Sequence, residues 1–396
     1  MTPTTGSGYH AFLDAARDIE SIIRSRPDAS DLDVAEGYLY LAGMWQFHLE
    51  RALKSDDVDR PCFVRAMDSV RTWGLPTPDH HYYSARIDGR GTYRIHGHRG
   101  SVTDYCFELL TGLVGDDGVV GRRVGALEAS RMHFEADGRF ELLVGGEPGA
   151  RNWLRSEPAA TTIFVRQTVG DWRTESPTAM LIERIDRPPG STGNHRLAND
   201  EVQLRLQAAA RRLVDQVRFL DAFSRHWTQT LPLNELAPPQ VGPADAGYFP
   251  GQYNTKCRFA FDPGEALLLT MPPATARYQS VSLGHPLWFN SLHPRHVSST
   301  LNAAQSRVSD DGFLRYVICD RDPGAFNWLD TGGHVTGFLF VRYQQTHGVA
   351  PPLPHLQRMP LSRLPSAVPD GELSCSPDRR DEIARLRRLS LDRRFF

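Results

Sequence analysis

Apolar residues recur at helical spacing at the start of the chain, where Phe12, Ala15, Ala16, Ile19, Ile22 and Ile23 fall on one stripe. Ser30 and Asp31 can cap the next element. From Leu32 to Leu53 the residues are apolar on most faces, with Tyr38, Leu41, Met44, Trp45 and Leu49 among them, which predicts a helix buried between layers. From about residue 60 to 185 the period changes. SARIDGRGTYRIHGHRGSVTDYCFELL alternates around glycine-rich turns, and ATTIFVRQTV is rich in β-branched residues, so short strands are predicted. RPPGSTGNH interrupts that pattern. Asn199 or Asp200 can then cap a helix whose stripe runs Val202, Leu206, Ala209, Leu213, Val217, Leu220, Phe223 and Trp227, about 40 Å long. LAPPQVGPADAGYFPG reads as a linker, and residues 250–345 return to strands. A second Pro-rich stretch leads to a basic tail. There Ile383, Leu386 and Leu389 predict a short amphipathic helix that docks on the protein's own body or on a dimer partner.

The strand-rich regions resemble each other. EPGARNWL at 147–154 matches DPGAFNWL at 322–329 in six of eight positions. Asp137-Gly138 aligns with Asp311-Gly312 at an offset of 174, Pro148-Gly149 with Pro323-Gly324 at 175, and Phe164-Val165-Arg166 with Phe340-Val341-Arg342 at 176. Two copies are too few for a solenoid. The expected fold is α+β, mainly β: two duplicated jelly-roll-like β-sandwich domains with an N-terminal helical segment and a long connecting helix. The expected boundaries are 1–58 for the helices, 59–190 and 246–350 for the sandwiches, 191–245 for the connector and 351–396 for the tail.

Composition narrows the function classes. The chain has 396 residues, 45 of them Lys or Arg and 47 Asp or Glu, for a net charge of −2. That balance argues against a dedicated nucleic-acid binder. Only Lys54 and Lys256 are lysines; the 43 arginines, beside plentiful Ala, Gly and Pro, fit a GC-rich genome. No apolar run reaches 18 residues, so no integral membrane segment is expected. The N-terminus lacks a signal-peptide pattern, and five scattered cysteines form no CxxC pair. A cytoplasmic protein with reduced thiols is the expectation. Neither a GxxxxGK[ST] loop nor a strand-linked GxGxxG is present, so no cofactor is expected.

The run ALLLTMPPATARYQSVSLGHPLWFNSL, followed by LNAAQSRVSDDGFLRYVICDRDPGAFNWLDTGGHVTGFLFVRYQQ, resembles the bacterial domain-of-unknown-function family numbered 1214. The preceding half, with YYSARIDGRGTYRIHGHRG, resembles sequences that accompany that domain, in the place where the companion family 1254 often sits. The resemblance implies a jelly-roll-like sandwich for each half and no settled activity.

Comparison of the halves sorts the candidate chemistry. Asn152/Asn327, Trp153/Trp328 and Arg166/Arg342 are kept in both halves and read first as scaffold, with Asn327, Trp328 and Arg342 also retained as binding candidates. Asp330 and His334 occur only in the second half, where the first has Arg155 and Ala159. An Asp that fixes a His tautomer is what a general base needs, so these two are the catalytic candidates. Arg277, Tyr278, His285 and Trp288 flank the SVSL strand and are candidates for binding an anionic or aromatic ligand. Arg277, facing Thr103 in the alignment, is the arginine to test first. No metal is assigned. An alternative metal reading rests on His96 and His98, a strand HxH with both imidazoles on one face, to which His80 or His81 could add a ligand.

These features lean towards a cofactor-independent enzyme acting on a small, partly apolar molecule, with an anionic group among the options. Hydrolysis, elimination or isomerisation by acid/base chemistry is expected. The alternatives are a non-catalytic ligand- or carbohydrate-binding or assembly protein, and a metal-dependent enzyme using the HxH pair. A small-molecule substrate is the expected partner, and a homodimer is also considered.

Overall fold

The computed structural model describes residues 6–188, 195–243 and 247–394. Helices α1 (Ser7–Arg24), α2 (Asp31–Glu50) and α3 (Asn199–Thr230) accompany four β-sheets, so the fold is α+β and mainly β. Ser30 caps α2 in a reciprocal box with Asp33, which satisfies two N–H groups at the helix start. The stripe predicted for α3 is the one it buries: Leu206, Ala209, Leu213, Val217, Leu220 and Trp227. α1 crosses α3 so closely that a Cβ on Gly8 would meet the Gln203 carbonyl oxygen at 2.1 Å.

The first lobe contains β1 (Val64–Met67), β2 (His80–Arg86), β3 (Tyr93–His98), β4 (Asp104–Leu110), β5 (Arg123–Glu128), β6 (Arg139–Val144), β7 (Trp153–Leu154), β8 (Thr162–Thr168) and β9 (Ala179–Arg184). The second contains β10 (Gln240–Val241), β11 (Tyr253–Ala260), β12 (Glu265–Met271), β13 (Tyr278–Gly284), β14 (Thr300–Asn302), β15 (Leu314–Cys319), β16 (Trp328–Asp330), β17 (Thr336–Gln344) and β18 (His355–Pro360). The five-stranded sheets run β1-β2-β8-β4-β5 and β10-β11-β17-β13-β14; the four-stranded sheets run β7-β6-β3-β9 and β16-β15-β12-β18. The strand orders of the two lobes correspond position by position. Each lobe is a β-sandwich closed over its own core, with Phe107, Phe140, Leu142 and Val165 in the first and Leu267, Tyr316, Leu339 and Val341 in the second.

Strand alternation decides what lies between the lobes. On β8, Ile163 and Val165 enter the sandwich core while Phe164 joins a central core with the helices. On β17, Leu339 and Val341 enter their sandwich while Phe338 and Phe340 join the same central core. Both five-stranded sheets therefore turn an apolar face toward the helical layer. No described helix is long and apolar enough to cross a membrane.

The C-terminal helix Pro377–Arg394 exists, but its predicted stripe is not the docked face. Leu386 and Leu389 are exposed, whereas Leu391 and Arg394 are buried. The Arg394 guanidinium lies 4.0 Å from the Trp172 ring centroid, and its Nη2 donates to the Pro78 carbonyl. The helix is thus fixed on the protein's own body. The RPPGSTGNH break lies largely outside the described residues.

Candidate functional site

A cavity of about 160 Å3 opens between the lobes, walled by β2, β4, β8, β17, α3 and the segments around Leu75, Tyr248 and Phe289. Its walls carry aromatic rings (Trp227, Phe164, Phe289 and Phe340) and three arginines, Arg123, Arg166 and Arg342, against one carboxylate, Glu108. An engineered apolar cavity of about 150 Å3 accepts benzene, so this space suits a single ring or a short aliphatic body.

The arginines are not alike. Arg166 lies opposite Cys106 in the β4–β8 ladder, and its Nε donates to Glu108 Oε2 at 2.8 Å. Glu108 also accepts from Arg123 Nε at 2.8 Å. In the second lobe Arg342 lies opposite Ser280, and the position equivalent to Glu108 is Ser282, which faces Phe340 as Glu108 faces Phe164. Arg342 donates from Nη1 to Ser282 Oγ at 2.9 Å and from Nη2 to the Leu75 carbonyl at 2.7 Å. It has no carboxylate partner among the described residues. Its guanidinium covers the Phe340 ring at 4.1 Å, and burial lowers its pKa. A buried cation held only by neutral groups is incompletely compensated.

The Leu75 carbonyl is aimed by unusual backbone. Leu75 and Phe289 both adopt positive φ, 53° and 49°, a region that bulky residues avoid. They sit on two segments, one from each lobe, that clasp through the Trp73–Asn290 bridge and the Gly74 N–H to Phe289 carbonyl bond. Both side chains line the cavity. Strain of this kind persists where surrounding packing enforces it and clusters at functional sites.

His80 and Tyr82, on β2, supply the protic groups. Gln344 Nε2 donates to His80 Nε2 at 3.2 Å; Gln344 in turn donates to Gln252 Oε1 and accepts from Thr168 Oγ1. This chain places the His80 proton on Nδ1, 3.1 Å from the Tyr82 oxygen. That oxygen also accepts the Thr77 N–H, leaving the phenolic hydrogen for a ligand in the cavity that Tyr82 lines. Burial, and then the Arg342 and Arg166 charges, hold the His80 pKa well below its usual value, so the ring is neutral at pH 7.

The expected catalytic pair does not form. Asp330 turns to its own loop, where Oδ1 accepts the Gly332 N–H. His334 leaves that loop after Gly332 and Gly333, both at positive φ, and reaches α2 instead, with Nε2 2.7 Å from Glu36 Oε2 and Nδ1 3.6 Å from Asp33 Oδ1. His285 completes this cluster, with Nε2 3.2 Å from Asp33 and 3.1 Å from Glu36. Neither histidine lines the cavity.

The other candidates divide between scaffold and surface. Asn327 accepts the Arg307 N–H and donates to the Arg307 and Arg315 carbonyls, and Asn152 repeats the pattern with His133 and Glu141. The Trp328 indole donates to the Cys319 carbonyl as Trp153 does to Gly145. Tyr278 is buried and donates to Asp79, while Trp288 donates to the Asp33 carbonyl and stacks on His285. Arg277 is exposed and outside the cavity. His96 and His98 lie on β3; the nearest acid to His96 is Glu183, and His98 contacts the Asp137 carbonyl. Of the expected binding residues, the cavity takes in Arg342 alone. Glu108, Tyr82, Trp227 and Tyr248 were not anticipated, and His80 only as a spare metal ligand.

The chain matches no family model and no curated protein. Among solved structures it is similar to an uncharacterized protein from Burkholderia cenocepacia, at 29% identity and a TM-score of 0.80, covering 90% of this chain and 98% of that one. The arrangement of lobes and helices is therefore a shared fold. The VPA0106 protein from Vibrio parahaemolyticus aligns over 81% of this chain and 98% of its own, at 10% identity and a TM-score of 0.42.

Proposed function

We propose that the protein takes a small monoanion with an apolar body, of the size of a single-ring carboxylate, into the cavity between its lobes and acts on it by cofactor-independent acid/base chemistry. The observation that carries this reading is Arg342: a buried guanidinium facing a ring-lined cavity, with no carboxylate partner among the described residues. A ligand carboxylate would supply the missing charge, and charge-assisted bonds of this kind contribute about 1.5–3 kcal/mol. Tyr82 would donate its hydroxyl hydrogen to the ligand, with His80 holding the phenol in place.

The test is calorimetric titration with benzoate and phenylacetate against their neutral amides, combined with turnover screening of hydroxy- and keto-substituted relatives. Binding of the acids but not the amides is expected, with a loss of roughly ten- to a hundredfold in Arg342→Met. Equal binding of acids and amides would refute the reading. A non-catalytic ligand-binding role is the second reading, favoured by one observation: both His80 nitrogens are engaged, by Gln344 and by Tyr82. Turnover that falls in Tyr82→Phe while binding persists would decide for the enzyme.

We further infer that the two lobes are duplicated jelly rolls and that the second belongs with family 1214. The repeated blocks, the matching strand orders and the matching Asn152 and Asn327 bonds support the duplication; the quoted motifs support the family.

A further inference from the structure

We propose that Asp33, Glu36 and His334 form a divalent-cation site that ties helix α2 to the second lobe, with His285 orienting the carboxylates. The carboxylates stand one helical turn apart, on positions 33 and 36 of α2. Asp33 is fixed by the helix cap: Oδ2 accepts the Ser30 N–H at 2.8 Å, so Oδ1 faces the histidines. Their ion-pair partners among the described residues are His285 and His334 alone, in a chain with 45 Lys and Arg. Any positive charge that meets the two carboxylates must therefore come from the imidazoles or from a bound ion.

One atom points to a missing ligand. Asp33 Oδ1 is buried without a hydrogen-bond partner, with His285 Nε2 3.2 Å and His334 Nδ1 3.6 Å away. The His285 side chain is 1% exposed. The group thus does not satisfy itself. Donors bound to one ion at roughly 2.0–2.2 Å lie about 2.8–3.6 Å from their neighbours. His334 Nδ1 stands 3.6 Å from Asp33 Oδ1, within that range, and its Nε2 is hydrogen-bonded to Glu36 Oε2 at 2.7 Å, a contact that an ion between them would replace.

The histidines have different parts. His285 Nδ1 accepts the Leu287 N–H at 3.0 Å, so its proton stays on Nε2, facing the carboxylates. It acts as an outer partner that aims Asp33 and Glu36. His334 is the imidazole ligand. Two carboxylates and one imidazole suit manganese or zinc and leave positions for water. The site lies apart from the cavity, and the ion's effect is to fasten α2.

Chain stripped with a chelator and dialysed free of it would be titrated with Mn2+ or Zn2+ by calorimetry, with the melting temperature followed in parallel. One ion per chain and a rise in melting temperature are expected. His334→Gln and Glu36→Gln should abolish stoichiometric binding, and His285→Asn should weaken it by roughly 10–100-fold. Asp330→Asn, in the same loop as His334, should bind normally. Cobalt absorption spectra of the unsubstituted chain keep the test independent of variant folding, because histidine and carboxylate ligation gives bands that free cobalt lacks. No stoichiometric binding by the unsubstituted chain, or binding that survives both His334→Gln and Glu36→Gln, overturns the proposal.

Discussion

The lobes place an arginine at the same point of the same strand and treat it differently. In the first, Arg166 is neutralised by Glu108, which also takes Arg123. In the second, the acid is replaced by Ser282, and Arg342 rests on a hydroxyl and a carbonyl. The kept residue is the frame, and the altered partner leaves Arg342 without a carboxylate among the described residues. A buried ion pair within the protein consumes a charge; removing one half of it leaves that charge for something else to meet.

The first way to break the comparison is to remove the acid from the first lobe. Glu108→Gln leaves Arg166 and Arg123 without their carboxylate, and a loss of about 3–5 kcal/mol is expected in denaturant unfolding. A loss below about 1 kcal/mol would show that Glu108 is no more needed in its lobe than Ser282 is in the other. The converse change makes the second lobe like the first. Ser282→Glu should keep the fold, because the equivalent position already holds a Glu, and weaken benzoate binding roughly tenfold or more. Undiminished affinity would mean that Arg342 does not meet the ligand.

A smaller asymmetry lies at the start of the equivalent strands, where Asp104 in β4 corresponds to Tyr278 in β13. Burial pushes the Asp104 carboxyl up to about 6. A carboxyl whose native pKa exceeds its unfolded value binds the extra proton in the native state. Asp104 therefore costs stability above about pH 6, and that cost disappears as pH falls toward 4. Asp104→Asn should stabilise the protein at pH 8 by on the order of 1 kcal/mol and flatten its melting profile between pH 4 and 6. An unchanged profile would place the titration elsewhere. The smallest effect belongs to Arg277→Ala. The side chain is exposed and outside the cavity, so stability should stay within about 0.5 kcal/mol of the parent and benzoate affinity should not move. A clear loss of affinity there would return the binding site to the strand end where sequence comparison put it.

Helices and strands were legible because their periods differ: the α3 stripe and the alternation of β8 and β17 depend on local spacing alone. The repeat is legible too: residues present in one half only include Asp330 and His334, and the same offset of 174 pairs Glu108 with Ser282. The partner of His334 could not be read from DTGGH, because two glycines leave the direction of the following chain open. Glu36, nearly 300 residues earlier, looks in sequence like any polar residue in the first turns of a helix. Arg342 reads first as scaffold, while staying among the binding candidates, because a residue present in both halves says nothing of what its side chain lacks.

The bond from Arg342 to the Leu75 carbonyl spans 267 positions. At about 5–20 residues per second of synthesis, Leu75 waits roughly 10–50 s for the strand that completes the cavity. During that time Trp73, Leu75 and Phe164 have no second sheet to cover them. These side chains are the apolar surface that the nascent first lobe leaves open until then. Any small acid that binds the finished cavity acts after this stage, drawing late-folding chains toward the assembled state by mass action.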